Sequence, residues 1–125
     1  MKKETSIALL EYIDNIVFVR IKEGVLINAE SLNEQFEAER LLSGNDNYGV
    51  LVDGSNYSVI PGEARILMAA YSPKGRKATA IVSNNNLASL LTSRFYLKVN
   101  KPKNMTKIFN TEEEAIIWLK NKLRK

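Results

Sequence analysis

At 125 residues, with 45% hydrophobic and 26% charged side chains, the chain has the size and composition of one globular domain with its own core, and its composition excludes a disordered chain. It contains no cysteine and no histidine, which removes a disulfide framework, a thiolate nucleophile, the commonest general base and the commonest metal ligand; no cofactor or metal is expected. The net charge of +4, from 18 basic and 14 acidic residues, is too mild to argue for nucleic acid as a partner, and independence of disulfides fits a reducing cytoplasm.

The first six residues, Met1 to Ser6, are polar or charged after the methionine. The apolar stretch that follows is broken by Glu11 and Asp14, so it is too short and too charged for a signal peptide or a transmembrane segment. Ile7 to Ile13 reads as a strand and Ile16 to Lys22 as a second, with Asp14-Asn15 between them as a two-residue hairpin turn. Asn28 is a good cap for a helix reaching about Leu42, with Ala29, Leu32 and Phe36 on one face, and Ser31 with Glu34 offers an alternative capping box. Ser43 to Asn47 stops that helix.

Tyr48 to Asp53 is a short, nearly continuous apolar run, the pattern of a central strand covered on both faces. After a loop, Glu63 to Tyr71 reads as a helix with Ala64, Leu67, Met68 and Tyr71 on one side, ended by Pro73-Lys74-Gly75. Ala78 to Ser83 is another buried-type strand. Asn84-Asn85-Asn86 caps a helix whose Leu87, Leu90, Leu91 and Phe95 are expected to face inward. Met105 to Phe109 is a last short strand. Thr111-Glu112-Glu113-Glu114 is a capping box, with its acids at the positive helix end, for a final helix with Ala115, Ile116, Leu119 and Leu123 as buried stripe and Trp118 beside it. The fold class is therefore α/β: a single domain spanning residues 1–125, with a mostly parallel sheet of about five strands and four helices in β-β-α-β-α-β-α-β-α order, and helices over one face or both.

Ligand sites in parallel α/β sheets gather at the carboxyl ends of strands. Asp53, Asn56, Tyr57, Glu63 and Arg65 are thus candidates for one exposed site; the competing reading has Asp53 capping a loop turn and Arg65 solvated at the surface. Leu67 to Tyr71 is apolar around more than one helix face, which suits either sheet packing or a protein interface and adds Met68 to the candidates. Six scattered glycines form no nucleotide fingerprint, and no nucleophile–base pair stands out, so no enzyme is expected. Two basic clusters occur: Lys74, Arg76 and Lys77, then Arg94, Lys98, Lys101, Lys103 and Lys107 with Phe95 and Tyr96 interleaved. These are expected as solvated surface around a core Phe95, the competing use being RNA or an acidic membrane. The glycosylation-type sequons at Asn56 and Asn104 carry little weight in a cytoplasmic chain.

Phe95-Tyr96-Leu97-Lys98-Val99-Asn100-Lys101-Pro102, then Lys107-Ile108-Phe109, then Glu112-Glu113-Glu114-Ala115-Ile116-Ile117-Trp118-Leu119 resemble the closing strand and helix of small bacterial STAS-like proteins. Element order extends the likeness over nearly the whole chain. The STAS domain is the fold of anti-sigma-factor antagonists, with a SpoIIAA-like branch and a Sec14-like relation. In those regulators, the strand matching Tyr48 to Asp53 leads through a loop to an Asp-Ser-Ser-Gly-like motif at the next helix start, where a partner kinase phosphorylates a serine. This chain has Ile60-Pro61-Gly62-Glu63-Ala64-Arg65 there, with Glu63 at the phosphorylatable position and no Asp-Ser pair; Ser55 and Ser58 lie upstream and do not match. The carboxylate either mimics the phosphorylated state or is a favourable acid in a first helical turn. The resemblance implies a non-catalytic, regulatory protein-binding module, meeting a protein partner or a second copy of itself through Asp53, Asn56, Tyr57, Glu63, Arg65 and Met68. Its Sec14-like side implies the alternative of a small apolar ligand or lipid.

Overall fold

Two antiparallel pairings open the sheet. Strand β1 (Lys2–Glu4) pairs with β2 (Ala8–Ile13), and β2 with β3 (Ile16–Ile21), in a computed structural model that describes residues 1–54 and 60–124. The hairpin closes through Asp14 and Asn15, whose φ values of 51° and 65° are the pair a type I′ turn requires. Among the described residues the sheet therefore has six strands, one more than periodicity suggests. Lys2-Lys3-Glu4 shows no apolar alternation because all three residues are exposed at the sheet edge, where backbone pairing and an ion pair from Lys22 to Glu4 at 2.7 Å hold the strand and the lysines discourage further pairing.

Helix α1 (Ala29–Ser43) starts at Asn28, which accepts from the Ser31 amide at 2.9 Å while its own amide donates to Ser31 Oγ at 3.0 Å. Asn28 is thus the cap, in a reciprocal box with Ser31. The alternative box from Ser31 to Glu34 does not form, because the Glu34 carboxylate accepts from the Ser6 amide and hydroxyl instead. Leu32, Ala38 and Leu42 bury their side chains, whereas Ala29 is exposed in the first turn. Strand β4 (Tyr48–Asp53), helix α2 (Gly62–Ala70), strand β5 (Arg76–Val82), helix α3 (Leu87–Phe95), a π-helical turn at Tyr96–Asn100, strand β6 (Thr106–Phe109) and helix α4 (Glu112–Leu123) complete the chain.

Strands β3, β4, β5 and β6 are parallel neighbours in chain order. Successive crossovers that step in one direction with one hand deliver their helices to one face of the sheet. Helices α1 and α2 pack there against Leu10, Val17, Val19 and Val50, and α3 lies over β5 on the same side. Helix α4 follows the last strand and returns across the other face. That face is built for close approach: Ala78, Ala80 and Val82 of β5 and Gly49 of β4 meet Ala115 and Leu119, and a Cβ on Gly49 would sit 3.0 Å from Leu119 Cδ2. Among the described residues no helix is long and apolar enough to cross a membrane.

Candidate functional site

Alternation along β4 and β5 sends Val50, Val52, Thr79 and Ile81 to the three-helix face. Over them α3 places its small and polar side: Ala88, Ser89, Thr92 and Ser93, followed by Tyr96 of the π turn. No residue of α3 itself is fully buried. Short side chains on a loosely seated helix cannot fill the space above the sheet, and a cavity of about 250 Å³ remains between the sheet and α1, α2 and α3.

One end of the cavity is polar. Glu39 of α1 is 1% exposed and forms a bidentate ion pair with Arg76 of β5: Nε donates to Oε1 at 2.7 Å and Nη2 to Oε2. The Arg76 guanidinium also stacks 5.0 Å from the Tyr71 ring centroid, and Tyr71 stacks on Phe36 at 3.7 Å. Arg76 Nη1 donates to Thr79 Oγ1 at 3.4 Å, Thr79 donates to Asn104 Oδ1 at 2.7 Å, and Asn104 Nδ2 returns to the Arg76 carbonyl at 2.8 Å. Burial works against the Arg76 charge, but Glu39 outweighs it and holds the guanidinium above its usual range. Burial, then the Glu39 carboxylate, push the Tyr48 phenol well above the ordinary value, and burial pushes Tyr96 up to about 12, so both rings are neutral.

Arg65 of α2 lies at the cavity wall. Its Nη1 donates to the Ile60 carbonyl at 2.7 Å, and its guanidinium sits 5.3 Å from the Phe95 ring centroid. Its Nε is buried with no hydrogen-bond partner. Among the described residues no carboxylate pairs with it, so its charge is not locally neutralised.

The sequence-based candidates are divided by the sheet. Arg65 and Met68 line the cavity, and Glu63 is exposed in the first turn of α2. Asp53 belongs to the opposite side, beside the start of α4. It accepts from Arg20 at 3.2 Å and from Asn84 Nδ2 at 3.1 Å, and Arg20 also donates to Glu112 at 3.3 and 3.4 Å. Hydrogen bonding to Glu112 raises Arg20 above its usual range against the effect of burial. Asn56 and Tyr57, with Ser55 and Ser58, lie outside the described residues.

Two expectations are overturned on α3. Leu87, Leu91 and Phe95 do not face inward: they are 68%, 55% and 49% exposed, and Val99 continues the ridge at 56%. Phe95 is therefore a surface residue touching Arg65, not core. Ile66 of α2 adds a further exposed apolar side chain, and Arg94 and Lys98 are exposed along the ridge. Arg76, grouped with a surface basic cluster by its neighbours, instead turns inward as the partner of the buried Glu39. Glu39 is a site residue outside the sequence-based candidates, although it falls in step with Leu32, Gln35 and Leu42, and a carboxylate on an apolar stripe signals a buried partner. Asn104 is buried within the Thr79 network.

A crystal structure of a protein of unknown function from Arthrobacter sp. FB24, determined at 2.20 Å, is similar with 23% identity over 89% of this chain and 97% of that chain, at a TM-score of 0.35. No curated protein matches the chain. The family described as a domain of unknown function, DUF7793, matches residues 10–123, and the chain belongs to that family.

Proposed function

We propose that this chain is a non-catalytic, STAS-like binding domain that works by contact between the outer side of α2–α3 and a protein partner. The observation that carries the reading is the ridge of Leu87, Leu91, Phe95 and Val99, at four-residue steps and each about half exposed or more, with Ile66 on the neighbouring helix. Contiguous exposed apolar surface rimmed by charge marks interaction sites, and burying one such side chain contributes about 1.5–3 kcal/mol. Three covered side chains would contribute about 4.5–9 kcal/mol at most, before the cost of association. Glu63, exposed on the same helix as Ile66, supplies a fixed negative charge where the STAS-like regulators carry a phosphorylatable serine. The regulatory part of the reading rests on that resemblance. The absence of histidine and cysteine supports the non-catalytic part. A cysteine-free domain suits a partner in the bacterial cytoplasm.

The test is capture from lysate of the source organism by tagged wild type, Leu91→Arg and Glu63→Arg, with native mass spectrometry of the purified protein alongside. A partner held by wild type and lost by Leu91→Arg supports the reading, and loss with Glu63→Arg extends the surface to the start of α2. A concentration-dependent dimer abolished by Leu91→Arg makes the partner a second copy. A monomer that captures nothing sinks the proposal.

A further inference from the structure

The cavity beneath α3 poses a separate chemical question from the ridge above it. Its volume of about 250 Å³ exceeds the roughly 150 Å³ that holds a benzene ring in an apolar core, and falls just under the roughly 300 Å³ at which drug-sized ligand sites begin. Its floor is branched aliphatic, from Val50, Val52 and Ile81. Its roof is hydroxyl-bearing, and Ser89, Thr92 and Ser93 make no side-chain hydrogen bond to any described residue. An apolar floor facing free hydroxyls matches a ligand with an apolar body and a polar group.

Charge narrows the class. Among the described residues the charged groups lining the cavity are Glu39, Arg76 and Arg65. Glu39 and Arg76 neutralise each other in a closed bidentate pair. Arg65 is left over, so the lining carries one net positive charge. Its buried Nε lacks an acceptor, and the Phe95 ring covers one side of the guanidinium. Arg65 as a whole is half-buried, and a guanidinium at such a partly desolvated wall binds a carboxylate through charge-assisted hydrogen bonds. We propose that the cavity is a binding site for a small monoanionic amphiphile, an aliphatic monocarboxylate of about eight to ten heavy atoms, with its carboxylate on Arg65 and its chain along the Val50–Val52–Ile81 floor.

Isothermal titration with octanoate and 1-octanol tests this on the intact chain. Wild type should take octanoate at least about tenfold more tightly than the alcohol, the difference of one charge-assisted contact. Arg65→Gln should keep octanol binding and lose the preference. Ser93→Phe, which fills the cavity from a helix with no buried residue, should lose both ligands while retaining its circular dichroism spectrum. Equal affinity for the two probes in wild type, or an undiminished octanoate preference in Arg65→Gln, overturns the role of Arg65. Absence of binding by both probes to folded wild type overturns the site. None of these results bears on partner capture by the outer ridge.

Discussion

Glu39 and Arg76, 37 residues apart in sequence, meet as a bidentate ion pair that ties the middle of α1 to the first residue of β5. With side-chain exposures of 2% and 11% the pair is removed from bulk water, and its neighbours Tyr71, Thr79 and Asn104 complete the bonding around it. Removing one partner strands a buried charge, so Glu39→Ala and Arg76→Met should each lower the unfolding free energy by about 3–5 kcal/mol. The double variant Glu39→Met/Arg76→Met should recover much of that loss, because no charge is then buried. Urea denaturation of the four proteins measures both effects, and a double variant no better than the singles would show that the network, not the charge balance, sets the cost.

Alkaline stability follows from the buried phenols. Tyr96 has its folded value raised to about 12 from an unfolded 10.0, and burial raises Tyr48 and Tyr71 in the same direction. A raised folded value means that the folded state holds its proton where the unfolded state has lost it. That contribution is complete below about pH 10 and is lost progressively as pH rises to about 12. Chemical denaturation between pH 8 and 12 should show stability falling from about pH 10 upward, with a shallower fall in Tyr96→Phe. Identical slopes in the two proteins would contradict the burial of this ring.

Close packing under α4 predicts intolerance at Gly49. A methyl there would meet Leu119 Cδ2 at 3.0 Å, and Leu119 is fully buried with little room to yield. Gly49→Val should cost about 1–3 kcal/mol by overpacking. Leu119→Ala should cost about 2–5 kcal/mol by leaving a cavity. Thermal melts of both, and of the combined variant in which the smaller Leu119 side chain accommodates the larger residue 49, check the contact; a combined loss equal to the sum of the singles would deny that the two side chains touch.

The ridge on α3 makes the opposite prediction for leucines. Leu87→Ser and Leu91→Ser should change stability by no more than about 0.5 kcal/mol, the scale of surface substitutions. A loss of several kcal/mol at either would return them to the interior and remove the basis for a partner surface.

Order and type of the elements from the second strand onward were legible from local pattern; β1, with no apolar alternation, was not. Asn28, Asp14-Asn15 and Thr111 acted through contacts within a few residues, so their capping and turn roles followed from spacing alone. The Tyr48–Asp53 run announced a strand covered on both faces, and Val50 and Leu51 do point to opposite cores. The amino-acid sequence by itself thus determined an α/β chain, its capping residues and the central strand. Tertiary structure alone decided the rest. A four-residue apolar step states that Leu87, Leu91 and Phe95 share a side of α3, but not whether that side meets the sheet or the solvent. Asp53 and Arg65, twelve positions apart, were separated by the alternation of β4 and by the placement of α2 and α4 on opposite faces of the sheet, and Arg76 was drawn out of a basic run by a carboxylate on α1. Such relations depend on which elements become neighbours, and the strand order that fixes this is set by the global packing of both faces, not by any single segment.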